Sequence, residues 1–579
     1  MPVLHEYDWI FGFTVVLAAL DAWNIGANDV ANSFASPVSS RSLTLKQAMI
    51  VASVCEFSGS VTVGSRVTEM VRKKIVNPHH YDDAPAVLLL SMMVTILASA
   101  VFLTVATKYG MPVSPTHTLL GGLIGTASAS IGISKINWGW TGVARVVTGW
   151  AITPGIAALV GAALFYLTKM TVLSRPSAVR RAFYSIPFYT FLTFGALAML
   201  VVWEGIHIDN ISVEVVLISI FAAAAGGALI EGVFVMPYLW VRIMRDDWTL
   251  KWYHVFQGPF LLKRQPPPPV PPGTIKPEIQ DFYKGHLTPE ELRCVRASEK
   301  LLQSVQTTDG KPPSVEDDDD DDEYPILPGP GKATNDSKLT RRISGTPSIV
   351  PPRPPGPRTS LRVIWWKTNR ILLWGLEQDV VGMTKCETVM QWDVADMHSR
   401  APRYDNRAEY MYSTLQIITA SATSFTHGAN DISNAIAPFS VAYEVWSEGT
   451  VTNMTSVPIW MLCFGAAAIV VGLVTFGYNV MRTLGNRLTL ISPSRGFCLE
   501  LATAMTVLIS TRMRLPVSTT QCITGATVGV GLANGDWRSI NLKLVGRVYL
   551  GWVITVPVTG LMAWGLMAML LYSPSWPSP

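Results

Sequence analysis

Long apolar stretches constrain this chain more than any other feature of its sequence. A stretch of about 20 apolar residues is long enough to cross the hydrocarbon core of a membrane as an α-helix. About twelve such spans are predicted, seven before the middle of the chain and five after it. They lie at 10–33, 45–65, 84–107, 113–134, 140–168, 188–203, 214–241, 411–437, 458–478, 495–511, 516–534 and 545–572.

The composition agrees with a membrane protein. Hydrophobic residues make up 49% of the 579 residues and charged residues only 15%, against about 25% charged residues in ordinary soluble domains. The small net charge of +4 gives no support to nucleic-acid binding, and the six cysteines are scattered singly, without metal-ligand spacing. The predicted fold class is an all-α integral membrane protein, embedded in the lipid bilayer.

A polar segment divides the apolar spans into two halves. We predict an N-terminal transmembrane half at 1–241, a hydrophilic loop at 242–409 and a C-terminal transmembrane half at 410–579. The loop contains proline-rich runs and an acidic run. Its part at about 265–360 is therefore unable to bury a core and is expected to be disordered.

The distribution of basic residues predicts the orientation. Lysines and arginines cluster at 169–181 and at 242–264, which places the central loop in the cytosol and, with twelve spans, both termini outside. The acceptor triplets that begin at Asn210 and Asn453 then face outward, where they are accessible to glycosylation.

The two halves carry the same motifs. "NIGANDVANSFASP" at 24–37 corresponds to "GANDISNAIAP" at 428–438, and "PVSPTH" at 112–117 corresponds to "PVSTTQ" at 516–521. An offset of about 402 to 404 relates the matched blocks, so the first copy lies at 10–168 and the second in the C-terminal half. Because seven spans separate their starts, the copies cross the membrane in opposite directions, and such inverted repeats are typical of secondary transporters.

The first motif of each copy places an acid at membrane depth. An ionised carboxylate there is costly, so Asp29 and Asp431 are expected to face a protein-lined cavity. Asn28 and Asn430 precede them, and Asn32 and Asn434 follow three residues later, so helical spacing places carboxylate and amide on one face. The glycine three residues before each Asp is expected to allow a helix break that frees backbone carbonyls. Such oxygen ligands suit sodium better than a transition metal. The alternative is that each Asp caps a helix end at the interface.

The second motif of each copy gathers hydroxyl groups where a new apolar span begins. The first copy supplies Ser114 and Thr116, and the second supplies Ser518, Thr519 and Thr520. Hydroxyls and free amide hydrogens at a helix N-terminus form a cradle for an anion. The alternative is that each side chain bonds back to its own helix.

Other ionisable residues also lie in apolar surroundings. Glu56 and Glu500 do not occupy corresponding positions, and each either carries a cation or a proton or pairs with a nearby polar group. Arg145 and Arg547 do correspond, at an offset of 402, although each begins a span and can extend to the interface. An anion among four buried acids needs a mobile cation beside it. The site chemistry therefore indicates cation-coupled anion uptake, with sodium and protons as the alternatives.

The duplicated Gly-Ala-Asn-Asp and Pro-Val-Ser-x-Thr motifs, on either side of a long hydrophilic loop, resemble the inorganic phosphate transporter family. "YDNRAEYMYSTLQ" and "SPSRGFCLELA" further resemble the fungal plasma-membrane sodium/phosphate symporters of that family. The resemblance covers both halves and implies uptake of inorganic phosphate with sodium at the plasma membrane. No nucleophile–base set or nucleotide-binding loop appears, so neither an enzyme nor a cofactor is predicted.

The resemblance also implies roles for individual residues. It assigns cation binding to Asp29 and Asp431, with Asn28 and Asn430 beside them and Glu56 and Glu500 as further important acids. It assigns phosphate binding to Ser114, Thr116, Ser518, Thr519 and Thr520. Pro115 departs from the family, which usually has a threonine there, and removes a hydroxyl and an amide hydrogen from the first copy.

Two alternative functions stay open at this stage. A proton-coupled phosphate transporter would use Glu56, Glu500 or His117 as titrating groups. A phosphate receptor would signal through the central loop. The sequence also leaves open whether the chain is a monomer or a homo-oligomer.

Overall fold

A computed structural model describes most of the chain. The described residues are 3–72, 78–202, 212–270, 279–308, 353–355, 357, 360–378, 380, 388–389, 392–451, 457–513 and 517–573. The glycosylation triplets at Asn210 and Asn453 and the acidic run lie outside these residues.

Helices form nearly all of the described first half. Proline opens α3 and α4, where its fixed φ suits the first helical turn. Five-residue π-helical turns extend α5 at Lys169–Leu173 and join α7 to α8 at Glu231–Val235. The helices are α1 (Asp8–Ser39), α2 (Leu45–Arg72), α3 (Pro85–Lys108), α4 (Pro115–Ser130), α5 (Val143–Thr168), α6 (Ala178–Leu200), α7 (Val213–Ile230) and α8 (Met236–Met244).

The rest of the described chain is also mainly helical. Strands β1 (Thr388–Val389) and β2 (Trp392–Asp393) pair antiparallel, with Thr388 opposite Asp393. Asp405 caps the longest helix, α12, by accepting a hydrogen bond from the amide of Arg407. The helices are α9 (Pro289–Thr308), α10 (Leu361–Leu372), α11 (Val394–Ser399), α12 (Asn406–Glu448), α13 (Ile459–Phe476), α14 (Tyr478–Leu484), α15 (Pro493–Arg512), α16 (Thr519–Ala533) and α17 (Leu542–Tyr572).

Eight helical segments of the described residues are long and apolar enough to cross a membrane. Four other predicted spans, at 113–134, 411–437, 495–511 and 516–534, correspond to α4, α12, α15 and α16. These helices are either short or interrupted by buried polar residues. The prediction of a helical multi-pass membrane protein is confirmed, and the count of twelve spans stays a prediction. The eight segments are His5–Ser39, Leu45–Ser65, Pro85–Lys108, Val143–Leu173, Ala178–Leu200, Val213–Met244, Ile459–Phe476 and Leu542–Tyr572.

The first helices of the two sequence copies, α1 and α12, run antiparallel. Trp446, near the end of α12, donates a hydrogen bond from Nε1 to Oδ1 of Asp8, at the start of α1, over 2.8 Å. The packing is reciprocal: α1 contacts α13 while α12 contacts α2, and α4 contacts α17 while α16 contacts α5. This reciprocal packing supports the inverted repeat, which stays a prediction.

The expected helix break at the two acidic motifs is wrong. Helices α1 and α12 continue through Asp29 and Asp431. Gly26 and Gly428 instead allow close packing, because a Cβ on Gly26 would lie 2.0 Å from the carbonyl oxygen of Ile469, and one on Gly428 would lie 2.3 Å from that of Glu56. Chain breaks occur at the second motifs, where extended Ser114 and Ser518 precede the short helices α4 and α16.

Part of the central segment docks on one end of the helix bundle, which we call the loop side. The hydroxyl of Tyr283 donates to Oε1 of Glu409 over 2.8 Å, and the same carboxylate accepts from the backbone amide and the hydroxyl of Ser494. Helix α9 follows at Pro289–Thr308. For these residues the expectation of disorder across 265–360 is wrong, because Tyr283 buries its ring and bonds a buried acid.

Candidate functional site

The acids of the two duplicated motifs meet at one buried point. Asp29 on α1 is 0% exposed and Asp431 on α12 is 2% exposed. Thr520 donates from Oγ1 to Oδ1 of Asp29 over 3.2 Å, and Thr519 donates from Oγ1 to Oδ2 of Asp431 over 2.9 Å. One threonine pair thus connects both carboxylates.

The start of α16 positions these threonines. Ser518 is extended at φ −99° and ψ 116° and caps the helix, since its hydroxyl accepts a hydrogen bond from the amide of Gln521. For Ser518 the structure therefore realises the alternative of a bond to its own helix. The cap presents Thr519 and Thr520, in the first turn, to Asp431 and Asp29.

Asn32 and Asn434, which helical spacing predicted on the same face as the acids, complete the contacts around them. Asn32 donates from Nδ2 to both threonine hydroxyls, at 2.9 Å to Thr520 and 3.3 Å to Thr519. Asn434 donates to Oδ1 of Asp431 over 2.9 Å. Both lie three residues after an Asp, and this helical spacing places them on the same face.

Asn28 and Asn430 lie elsewhere. The amide of Asn28 donates to Oγ1 of Thr107 and to the carbonyl of Met111, and its oxygen accepts from the amide of Val113. Asn28 therefore holds the connection between α3 and α4. Asn430 donates to the carbonyl of Thr426 on its own helix. These hydrogen bonds go to groups other than the acid that follows each asparagine.

His427 is a site residue that the sequence reasoning missed. Its Nε2 lies 3.0 Å from Oδ2 of Asp431 and 3.5 Å from Oδ2 of Asp29, while its Nδ1 lies 2.7 Å from Oε2 of Glu56. The ring is 1% exposed. Its position four residues before Asp431, in "THGAND", was the available signal, because residues at this spacing face each other on a helix.

The two additional acids have different surroundings. Glu56 on α2 joins the His427 group and also accepts from the hydroxyl of Ser424 over 3.0 Å. Glu500 on α15 is fully buried in a separate group of polar side chains. It accepts from Ser36, from Thr419 over 2.5 Å and from Gln416 over 3.3 Å.

The first-copy hydroxyls play a smaller part in this geometry. Ser114 is buried at the N-cap of α4, and its hydroxyl has no hydrogen-bond partner among the described residues. Thr116 is half-buried, and none of the hydrogen bonds to the carboxylates comes from it. Pro115 takes the first position of α4, which explains why a residue without an amide hydrogen is tolerated there.

The charges at this site do not balance. Asp29, Asp431 and Glu56 surround a single imidazole, so three negative charges face at most one positive charge when the acids are ionised. Uncompensated buried charge is costly. A bound cation or an additional proton would remove this cost.

The donor set fits a hard cation. One ligand atom from each of Asp29, His427 and Asp431 lies within 4.8 Å of the others. Oδ2 of Asp29 and Oδ1 of Asn32 have no hydrogen-bond partner among the described residues, although buried oxygens normally have one. Carboxylate and amide oxygens are ligands that sodium accepts, whereas both imidazole nitrogens already face carboxylates.

Many apolar helices around a buried group of carboxylates and hydroxyls define a multi-pass membrane transport protein. Residues 25–563 match the model of the phosphate transporter family, and the chain belongs to that family. It is 43% identical to a phosphate-repressible phosphate permease of Neurospora crassa, with 99% of each chain covered. The chain therefore belongs among phosphate transporters and not among enzymes.

More distant relatives share nearly the full length. A sodium-dependent phosphate transporter of Danio rerio is 26% identical over 98% of this chain and 96% of its own. A solved structure described as the sodium-dependent phosphate transporter has the same fold, with a TM-score of 0.57, 23% identity and coverage of 97% of this chain and 98% of its own.

Proposed function

We propose that this protein imports inorganic phosphate across the plasma membrane by sodium symport. The observation that carries the proposal is the pair of hydrogen bonds from Thr520 to Asp29 and from Thr519 to Asp431. The hydroxyls of the predicted phosphate motif and the acids of the predicted cation motif are thus in direct contact. Relatives whose names describe them as sodium-dependent phosphate transporters support the choice of cation.

Direct contact provides a physical basis for coupling. Without a cation, the threonine hydroxyls donate to the carboxylates, and a phosphate anion would meet uncompensated negative charge. Sodium at Asp29 and Asp431 neutralises this charge and competes for the oxygens that hold Thr519 and Thr520. Both hydroxyls are then able to donate to phosphate, whose charged oxygens accept strong hydrogen bonds.

The two sequence copies supply the moving parts in this proposal. Helix α1 of one copy and helices α12 and α16 of the other meet at the same point, as helices do around midplane sites at repeat interfaces. Rocking of one copy against the other would expose the site alternately to each side. The basic loops orient the central segment toward the cytosol.

Radiolabelled phosphate uptake tests the proposal. Proteoliposomes containing the full chain would receive an inward gradient of sodium or of potassium at constant pH. Sodium should drive accumulation and potassium should not. Equal uptake in both salts would contradict sodium symport.

A proton-coupled mechanism is the second candidate, and the position of His427 favours it. An imidazolium donates from both nitrogens, whereas a neutral ring donates from only one. Between Glu56 on one side and Asp431 on the other, an imidazolium would donate to both carboxylates and would hold a proton that is able to move. Uptake in sodium-free buffer that rises as external pH falls would establish this alternative.

A further inference from the structure

A second polar feature lies on the loop side of the central site. A cavity of about 70 Å³ is lined by Arg487 and Arg547, together with Thr483 and the segment from Tyr109 to Pro112. A void of roughly 10–15 Å³ on the same measure holds one water molecule, so this cavity admits a larger group. Its mouth is accessible, since Tyr109 is 70% exposed.

Only a thin partition separates this cavity from the central site. Met111 and Pro112 line the cavity. The carbonyl of Met111 and the amide of Val113 bond to Asn28 on the other side. The carbonyl of Val113 also accepts from Thr520, the residue that donates to Asp29. A shift of this three-residue segment would therefore give the cavity access to the central site.

The cavity and the central site have opposite charge. Among the residues that the structure describes, two arginines and no acid line the cavity, whereas three carboxylates gather around the central His427. When sodium leaves the central site, its negative charge repels phosphate while the arginines attract it. Guanidinium groups suit this task, because they bind tetrahedral oxyanions through paired hydrogen bonds.

The corresponding arginine of the other copy occupies a related place on the opposite side. Arg145, 402 positions before Arg547, donates from its guanidinium to the carbonyl of Met513 over 2.6 Å. Met513 precedes "RLPVSTT" as Tyr109 precedes "GMPVSPT". Arg145 thus bonds the residue that precedes the second copy of the motif, and Arg547 shares a cavity with the residue that precedes the first copy.

We propose that the cavity is a second phosphate-binding site, in which Arg487 and Arg547 receive the anion as it leaves the central site toward the loop side. The proposal rests on the phosphate transport proposed above. It assigns the two arginines to release on one side of the membrane and gives them no part in the first binding event on the other.

Transport measured separately from each side tests this assignment. Right-side-out and inside-out membrane vesicles would be prepared from cells that express the full chain and lack other phosphate carriers, with sodium saturating on both sides. Protease cleavage of the central segment identifies the loop side. Arg487→Gln and Arg547→Gln should each raise the half-saturating phosphate concentration on the loop side about tenfold, the effect of losing one charge-assisted hydrogen bond. On the opposite side the half-saturating phosphate concentration should stay at its wild-type value.

Matched variants separate a binding role from general effects of charge. Arg538→Gln removes an exposed arginine on the loop side, whose guanidinium lies over Trp537 and outside the cavity. This variant should leave the half-saturating phosphate concentration unchanged on both sides. Arg547→Lys should retain part of the loop-side affinity. Equal changes on both sides, or no change in either glutamine variant, would overturn the proposal. Absence of sodium-driven uptake by the wild type would instead refute the transport function itself.

Discussion

Thr520 donates a hydrogen bond from its hydroxyl to Oδ1 of Asp29 across 3.2 Å, although 491 positions separate the two residues. Both are fully buried. The contact joins a motif of the second sequence copy to a motif of the first, so each half of the chain is incomplete without the other.

The acids should determine sodium dependence. We expect Asp29→Asn and Asp431→Asn to reduce sodium-driven phosphate uptake about tenfold or more, because each removes a charge that a bound cation requires. Uptake at increasing sodium concentration measures the effect. Asp8→Asn, at an exposed position of the same helix as Asp29, is the control and should transport normally. Wild-type sodium dependence in both site variants would contradict the cation assignment.

The threonines should affect both substrates. We expect Thr519→Ala and Thr520→Ala to raise the half-saturating concentrations of phosphate and of sodium together, since each hydroxyl contacts a carboxylate and is placed to donate to the anion. Thr524→Ala is the matched control, because within the described part of the chain the hydroxyl of Thr524 bonds only the backbone of its own helix, over 2.8 Å. If neither half-saturating concentration changed, or if Thr524→Ala changed them equally, this role would be contradicted.

His427 should stabilise the folded protein as well as the site. His427→Ala leaves Asp29, Asp431 and Glu56 without their shared partner, and loss of one member of a buried charged group costs about 3 kcal/mol. We expect a lower unfolding temperature in detergent and partial recovery in high sodium. Adding Glu56→Gln should cost less than the sum of the two single changes, because they share one interaction. Strict additivity would show that the contact contributes little.

Close helix packing should make Gly26 intolerant of any side chain. A Cβ there would lie 2.0 Å from the carbonyl oxygen of Ile469, whereas Gly12 on the same helix has nothing within 4 Å. We expect Gly26→Ala to destabilise the protein by about 1–3 kcal/mol or more through overpacking, and Gly12→Ala to be neutral or stabilising. Thermal unfolding of the two variants compares them directly. Equal stability of the two variants would indicate that backbone flexibility, and not close packing, accounts for glycine at position 26.

Docking of the central segment should weaken in acid. His398 donates from Nε2 to the carbonyl of Asn486 over 2.6 Å, and its Nδ1 lies 3.1 Å from Nδ1 of His286. Burial lowers the pKa of His398 to about 4, from its ordinary value of 6.5. The undocked state therefore binds more protons between these values, so docking loses free energy as pH falls from about 6.5 toward 4, by at most about 1.4 kcal/mol per pH unit.

Hydrogen exchange of residues 281–286 measures this docking. After correction for intrinsic rates, exchange should be faster at pH 5.5 than at pH 7.5. In His398→Gln it should be faster than in wild type at pH 7.5 and should depend less on pH. An identical pH dependence in the variant would assign the effect to another group.

The sequence alone determined the class of the protein and four members of its candidate site. Apolar stretches long enough to cross a bilayer require helices, because backbone polar groups have no other partners in hydrocarbon. Two copies of an acid motif and a hydroxyl motif predicted one shared site. Asp29, Asp431, Thr519 and Thr520 are indeed in contact, since an intramembrane acid needs a polar partner wherever the chain folds.

The tertiary structure alone decided how those residues are used. Gly26 looked like a point of flexibility, and only the approach of Ile469 from α13 shows that it permits close packing. His427 lies at helical spacing from Asp431, but its link to Glu56 depends on α2, 371 positions earlier in the chain. Spacing along one helix is a local property that a sequence displays. Contacts between helices depend on which surfaces pack together, and that is set by the shape and charge of the whole bundle.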